Sequence, residues 1–358
     1  DAPKWAMAGR SADKLAEVRD LIGAPADTPL VAADADDPAS LEVMCKRTKV
    51  VLTTVGPYQL YGDALVAACV ATGTDYADLC GEPAWMAEKI EQHHAAAKAS
   101  GARICFSSGF DSTPFDLGVL MAQNAAKARW GAPASRIKGR VRGMAGTFSG
   151  GTAASLGATM KAAAKNPSLI KVLANPFALT PGFEGPGQPN GMVPSYDSDL
   201  GKWAAPFVMA PINTKNVHRT NYLLGHPYGE DFRYDEMMLT SPGDAGKKMA
   251  EAAAEMMRNP FGAKPPKPGE GPSKEERDNG FYDVLFVAEG PDGSTLHFAV
   301  KGKYDPGYGS TSRMLSETGI ALLSCEAEGG VGTPGAFLGE ALVDRLRDHA
   351  KITFELEE

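Results

Sequence analysis

The feature that most constrains this chain is an alternation in its first 107 residues. Five short, mainly apolar runs, at residues 4–8, 30–33, 49–54, 74–79 and 103–107, are separated by helix-patterned stretches. They start about 20 to 30 residues apart, the length that a strand, a crossover helix and two turns require. Apolar runs without strict polar alternation belong to strands covered on both faces. The segments between them carry helix punctuation. Ser11 precedes a run with Leu15, Val18 and Leu21 on one side and Gly23 at its end; Asp37 precedes Pro38; Pro83 opens a run that Gly101 closes. The expected fold of this half is α/β, a doubly wound parallel sheet.

After about residue 135 the texture changes. Residues 136–143 predict a strand, and 152–165 a helix behind a glycine-rich turn. Residues 281–289 and 295–303 predict a hairpin: Val284, Phe286 and Ala288 recur at every second position, as do Leu296, Phe298 and Val300, with Gly290-Pro291-Asp292-Gly293 turning between them. Hairpin connections imply an antiparallel sheet, hence an α+β second domain. Residues 175–212, rich in glycine and proline and without period, read as an insertion in that domain, and 264–277, with four prolines, as an exposed loop. Helices are expected at 312–324 and 334–349, the second with Leu338, Leu342 and Leu346 on one side. A length of 358 residues favours two domains over one. The division is 1–130, 131–310, and a helical segment 311–358 that packs back on the junction.

Charge and composition remove several functions. With 36 basic and 44 acidic residues the chain has a formal charge of −8, so it lacks the broad cationic footprint of a nucleic-acid binder or a reader of anionic membranes. No stretch approaches the ~18 uninterrupted apolar residues of a membrane span. The five cysteines form no CxxC pair and sit among apolar neighbours, as free thiols in a reducing compartment do, so a cytoplasmic location is expected. His93 and His94 lie in a helical run without ligand spacing and read as a solvated face; no metal site is expected.

Doubly wound sheets bind ligands at the carboxyl ends of their strands. No G-x-G-x-x-G turn follows any strand here. Gly9-Arg10-Ser11 instead follows the first strand. An arginine there suits a nucleotide 2′-phosphate, with Lys14 one turn on to assist, although an ordinary surface turn reads equally from the same residues. Asp34 stands just past the second strand as an adenine-side ligand or a helix cap. Thr54-Val55-Gly56-Pro57-Tyr58 ends the third strand, where Gly-Pro lets a cofactor approach the backbone and Tyr58 is either a proton donor or an edge ring. Asp78 and Glu82 form an acid–base pair or support a helix start. Ser149-Gly150-Gly151-Thr152 opens a helix whose free N–H groups suit a substrate carboxylate, thioester oxygen or phosphate, or serves close packing. Arg136, Lys138, Arg140 and Arg142 alternate on one strand face, as a carboxylate grip or a solvated edge.

The ordered set Ala8-Gly9-Arg10-Ser11, Asp34-Ala35-Asp36-Asp37, Thr53 to Tyr58, Gly73 to Glu82 and Gly109 to Gly118, with Ser149 to Thr152 and Asp305 to Gly309 later, resembles the saccharopine dehydrogenase-like oxidoreductases, and within them the bacterial trans-acting enoyl reductases. The resemblance covers nearly the whole chain. It implies a Rossmann-type NADP-binding domain in which Gly9, Arg10 and Ser11 meet the adenosine phosphate and Asp34 and Ala35 the adenine. Thr54, Val55, Gly56 and Pro57 would face the pyrophosphate and nicotinamide, and Asp78, Gly109 and Asp111 would line the nicotinamide end. Tyr58 and Asp111 are the catalytic candidates. Relatives open with one more strand and a G-x-T-G-x-T-G turn, about 30 residues, so the native chain is expected to be longer and this parallel sheet to be interrupted at its centre. The implied reaction is hydride transfer from NADPH to the C=C bond of an enoyl thioester in lipid or polyketide synthesis. An acyl synthase would be the partner, and self-association stays open. The alternatives are saccharopine-type C–N chemistry and a non-catalytic NADP-binding or lipid-associated protein.

Overall fold

The computed structural model describes residues 3–146, 149–257, 266–267 and 270–357. Its first half runs β1 (Met7–Gly9), α1 (Ala12–Leu21), β2 (Leu30–Ala32), α2 (Pro38–Cys45), β3 (Val50–Leu52), α3 (Tyr58–Tyr61), α4 (Asp63–Thr72), β4 (Asp75–Ala77), α5 (Pro83–Ser100), β5 (Arg103–Cys105) and α6 (Thr113–Trp130). The local signals act as read. Ser11 accepts from the Lys14 N–H at the start of α1 and Asp37 from Ala39 and Ser40 at the start of α2, while Gly73 and Gly101 end α4 and α5 at φ +68° and +81°.

All pairings among these strands are parallel, but they fall into two sheets. β1 pairs with β2, and β3 pairs with β4, which pairs with β5. Among the described residues β1 and β3 each have one partner and do not pair with each other, which is the interruption expected at the centre of the sheet.

The second half comprises β6 (Arg136–Ala145), α7 (Gly150–Lys165), α8 (Ser168–Ala174), β7 (Ser195–Asp197), β8 (Lys202–Pro206), α9 (Ala210–Leu223), β9 (Arg233–Leu239), α10 (Gly243–Met256), α11 (Lys274–Asn279), β10 (Phe281–Glu289) and β11 (Thr295–Lys303). A π-helical turn (Pro306–Ser310) then leads to α12 (Thr311–Leu322), β12 (Gly330–Gly332), α13 (Pro334–Phe337), α14 (Gly339–Ala350) and β13 (Ile352–Glu357). Seven strands form one sheet in the order β13-β11-β10-β6-β9-β8-β7. The sheet is mixed rather than antiparallel, because the crossover through α7 to α9 lays β9 parallel to β6. α6 packs on this sheet through Gly118, where a Cβ would stand 2.3 Å from the Phe286 ring.

Other elements depart from the sequence reading. The 175–212 segment contains β7, β8 and the start of α9. Of 264–277, residues 264–265 and 268–269 lie outside the described set, and its end enters α11, which Ser273 and Glu276 close with a reciprocal capping box. The terminal segment adds strands as well as helices: β12 extends the parallel sheet beside β5, and β13 edges the mixed sheet beside β11. β12 reads Gly-Val-Gly, and its two glycines weigh against a strand. It is held from outside, since buried Arg219 donates to the Val331 carbonyl at 2.6 Å and the Val331 N–H donates to His94 Nδ1 at 3.1 Å. His94 is therefore a partly buried clamp and not part of a solvated face.

α9 buries His218 between Phe177 and Phe232, with ring centroids at 4.7 and 6.0 Å, and leaves its Nε2 without a hydrogen bond. Burial pushes its pKa down to about 3. The native state keeps the ring neutral while the unfolded chain protonates it below about pH 6.5, so its cost to stability grows as pH falls from about 6.5 towards 3. His218→Phe should therefore gain stability relative to the parent by about 2 kcal/mol on going from pH 8 to pH 5. Urea unfolding at the two pH values measures this; an unchanged difference would show that the ring is not held neutral.

Candidate active site

The carboxyl ends of β3, β4 and β5 meet α7 and the start of α12, and most residues singled out in the sequence gather there. On the separate two-stranded sheet, Arg10 and Lys14 are exposed and have no ion-pair partner among the described residues. Ser11 is occupied as the cap of α1. One Asp34 carboxyl oxygen accepts the Asp36 N–H at 3.1 Å, and the Asp34 N–H donates to Ser40. Gly9, Asp34 and Ala35 are half-buried.

The turn after β3 is open: Thr54, Val55 and Gly56 are exposed and Pro57 is half-buried. A Cβ on Gly56 would lie 3.4 Å from the Tyr58 ring and 3.8 Å from Ser155 Oγ, ordinary contact distances, so packing does not demand glycine here. Free cationic side chains after β1 and a bare backbone turn after β3 fit a phosphorylated dinucleotide.

Glu82 holds this turn. Its carboxylate, 2% exposed, accepts from the Tyr58 N–H (2.9 Å), the Gln59 N–H (2.9 Å), Gln59 Nε2 (2.8 Å) and Ser155 Oγ (2.8 Å). Glu82 thus supports a helix start, but that of α3 and not of the α5 it precedes, and through Ser155 it ties α7 to the end of β3. Gln59 adds a bond to Thr159 at 3.1 Å. Gln59, Ser155 and Thr159 had no sequence signature, because their partners lie 23 to 100 residues away.

Three candidates change role. Tyr58 is buried; its hydroxyl donates to the Thr53 carbonyl and accepts from the Leu79 N–H, so it joins the ends of β3 and β4 and is not presented as a proton donor. Burial, with the nearby Asp78, raises its pKa well above the usual value. Asp78 has no exposed surface and accepts from Tyr76 Oη, the Cys80 N–H and the Ser107 N–H, fixing Ser107 in a left-handed conformation (φ 60°). It braces the β4 and β5 ends with its carboxylate turned inward; burial raises its pKa to about 7. Gly109 is buried, and a Cβ there would come within 2.9 Å of Leu79 and 3.1 Å of Thr311, so it serves internal packing.

Asp111 behaves differently. It sits on the β5–α6 turn, only partly covered, with no hydrogen-bond or ion-pair partner among the described residues. Desolvation alone raises its pKa to about 6. The turn that carries it is anchored on both sides. Ser112 Oγ donates to Asn213 Oδ1 (3.0 Å) and accepts from Asn216 (2.8 Å), and Asn213 Nδ2 reaches Glu236, which also accepts from Tyr234 Oη. On the other side the Phe110 N–H donates to Thr311 Oγ1 at 2.9 Å, at the head of α12. Asp305 caps the π-helical turn before α12 by accepting from the Tyr308 and Gly309 N–H groups, which gives the Asp305 to Gly309 motif a structural function.

Ser149-Gly150-Gly151-Thr152 does open α7, but two of its N–H groups are taken. Thr152 donates to Ser149 Oγ at 3.0 Å and Gly150 to the Glu270 carbonyl at 3.2 Å, which leaves little of an anion cradle. Residues 147 and 148, just before it, lie outside the described set. The basic face of β6 is neither a substrate grip nor solvated. Arg136 and Arg140 pair with Asp235, Arg140 also with Asp197, Lys138 with Asp199 and Glu289, and Arg142 with Asp283 and Glu357. Every cation of the row is matched by acids of the sheet or of the loop after β7.

Comparison with known proteins agrees with this geometry. The saccharopine dehydrogenase NADP binding domain family matches residues 1–105. A Mycobacterium tuberculosis protein provisionally called a trans-acting enoyl reductase is 39% identical over 95% of this chain and 88% of its own length. The trans-acting enoyl reductase of Mycobacterium ulcerans is 35% identical with the same coverage. Among solved structures, apo saccharopine dehydrogenase (L-Glu forming) from Saccharomyces cerevisiae superposes with a TM-score of 0.52 at 11% identity, covering 97% of this chain and 93% of that one, a likeness of fold. No helix among the described residues is long and apolar enough to cross a membrane.

Proposed function

Because the chain belongs to the trans-acting enoyl reductase family and carries a saccharopine dehydrogenase NADP-binding domain, we propose that this NADP-dependent oxidoreductase reduces the C=C bond of an enoyl thioester in lipid or polyketide synthesis. The observation that carries the reading is Asp111: a desolvated carboxyl without a partner, at the same end of the four-stranded sheet as the exposed Thr54 to Gly56 turn. When bound, NADPH supplies the hydride for the β-carbon. The chain's own part is to place the acyl chain, exclude water and hold the one proton that the reduction takes up besides the hydride. Asp111 holds that proton at a carboxyl oxygen and delivers it at the α-carbon side, and Ser112 and Thr311 fix the turn from which it acts. Arg10 and Lys14 would hold the 2′-phosphate, Asp34 and Ala35 the adenine, and Thr54 to Pro57 the pyrophosphate side.

The saccharopine-type alternative needs free cations for substrate carboxylates, and the pairing of the β6 row argues against it. A synthase that presents its acyl chain as a thioester is the partner this reading requires, and a cytoplasmic location agrees with five unpaired cysteines. The working domain map stays 1–130, 131–310 and 311–358, with β12 and β13 lending the last segment to both sheets.

NADPH oxidation with enoyl thioesters, set against imino acids, tests the substrate class. Turnover of imino acids alone would end the enoyl reading. Arg10→Ala should weaken NADPH about 10- to 100-fold, the worth of a charge-assisted phosphate contact, and leave NADH nearly unchanged. Fluorescence titration measures both, and equal losses would remove Arg10 from the 2′-phosphate.

A further inference from the structure

At the opposite end of the parallel sheet, Cys45 closes α2 and Cys69 lies in the last part of α4, and the packing of these helices brings the two sulfurs to 3.6 Å. Both residues are fully buried. Cys80 and Cys105 are also buried but have no thiol neighbour among the described residues, and the half-exposed Cys325 donates to the Phe337 carbonyl. Beside Cys45 lies an open cavity of about 350 Å³, lined by Cys45, Lys46, Lys49, Thr74, Asp75 and Arg103 among others. Lys49, Asp75 and Arg103 stand at the amino ends of β3, β4 and β5, so this cavity is on the other side of the sheet from Thr54 and Asp111.

We propose that Cys45 and Cys69 form a reversible disulfide on exposure to a hydroperoxide, Cys45 reacting first and Cys69 resolving. A disulfide needs the sulfurs at about 2.05 Å, a closure of roughly 1.5 Å that side-chain rotation and a small approach of two helix ends supply. The two thiols are unequal. The hydrogen bond from Cys69 lowers the Cys45 pKa against burial, whereas that same bond, then burial, raises Cys69. The Cys45 thiolate attacks a peroxide oxygen and takes up OH as the O–O bond breaks, and the other oxygen leaves as water after gaining a proton. The Cys69 sulfur then displaces hydroxide from the Cys45 sulfenic acid, its own proton completing a second water. Per disulfide, two thiols lose two electrons and one hydrogen peroxide becomes two waters. A peroxide is small and neutral enough to reach buried thiols from the cavity floor. The bond closes the segment that carries β3 and the Thr54 to Pro57 turn, so it links oxidation at one end of the sheet to the turn at the other.

Native protein treated with hydrogen peroxide, quenched by alkylation in denaturant and mapped by mass spectrometry tests this. The expected result is a Cys45–Cys69 linked peptide, about 2 Da lighter than the two free peptides and reversed by dithiothreitol. The midpoint of thermal unfolding should rise at the same time, because the unfolded chain is cross-linked. Cys69→Ala should leave Cys45 at the sulfenic or sulfinic stage, and Cys325→Ser should leave the linkage intact. Cys45 and Cys69 remaining fully alkylatable while Cys325 oxidises would overturn the proposal, as would a linkage that forms only in denaturant. The map of the unaltered protein decides even if a variant does not fold, and it does not depend on which substrate the enzyme reduces.

Discussion

Asp111→Asn lowers kcat for enoyl thioester reduction by about 10²- to 10⁴-fold and leaves NADPH affinity within about twofold of the parent. The asymmetry follows from position. The carboxyl has no internal partner whose loss would unfold the turn, while the neighbouring Ser112 keeps its bonds to Asn213 and Asn216 in the variant. Asparagine fills the same space but has no acid form to deliver a proton. A pH profile separates this role from a merely structural one. With a pKa near 6, the protonated fraction of Asp111 falls as pH rises through 6, so parental kcat should decline on the alkaline side with that midpoint, and the decline should vanish in the variant. A variant retaining more than half the parental rate, or keeping the same alkaline decline, would remove Asp111 from proton delivery. The reading of the substrate as an enoyl thioester would survive that outcome, since another group could serve.

The parts of the molecule that were legible in the sequence are those governed by near neighbours. The strands and helices up to residue 107 announce themselves through Ser11, Asp37-Pro38 and Gly101, whose effects extend over a few residues. The hairpin pairs residues 281–289 with 295–303 as its alternation requires. What stayed hidden depends on distant partners. β12 has a glycine at each end and is a strand because β5, Arg219 and His94 make it one. The site divides in the same way. The open turn after β3 and the free arginine after β1 follow from local chain geometry. Tyr58 and Asp78, by contrast, have side chains whose chemistry invites a catalytic reading, and burial among backbone donors and acceptors gives them structural work instead. No spacing rule could show that Glu82 reaches back to residue 58.

The alternating cations on β6 carry the same lesson into energetics, because their partners come from four other strands and the loop after β7. Arg140 is 4% exposed, donates through Nε to Asp197 and through Nη1 to Asp235, each at 2.8 Å, and adds a bond to the Gly139 carbonyl. Asp197 and Asp235 are themselves 6% and 4% exposed. Arg140→Met keeps much of the side-chain volume but takes from two buried carboxylates the cation they share, leaving Arg136 at 3.3 Å from Asp235 and the Leu200 N–H and the nearby Lys138 charge for Asp197. Breaking a buried pair from one side costs about 3–5 kcal/mol, more than the intact pair contributes over a well-packed apolar replacement. Arg140→Met should therefore lose about that much in urea unfolding at pH 7, while Lys274→Ala, which breaks an exposed pair on α11, should shift nothing measurable. Removing the negative charges identifies the cause. If the loss is that of carboxylates buried without their counter-charge, replacing Asp197 and Asp235 by asparagine in the Arg140→Met background should recover most of it. A deficit that persists in that background would assign the loss to packing of the guanidinium stem and not to uncompensated charge.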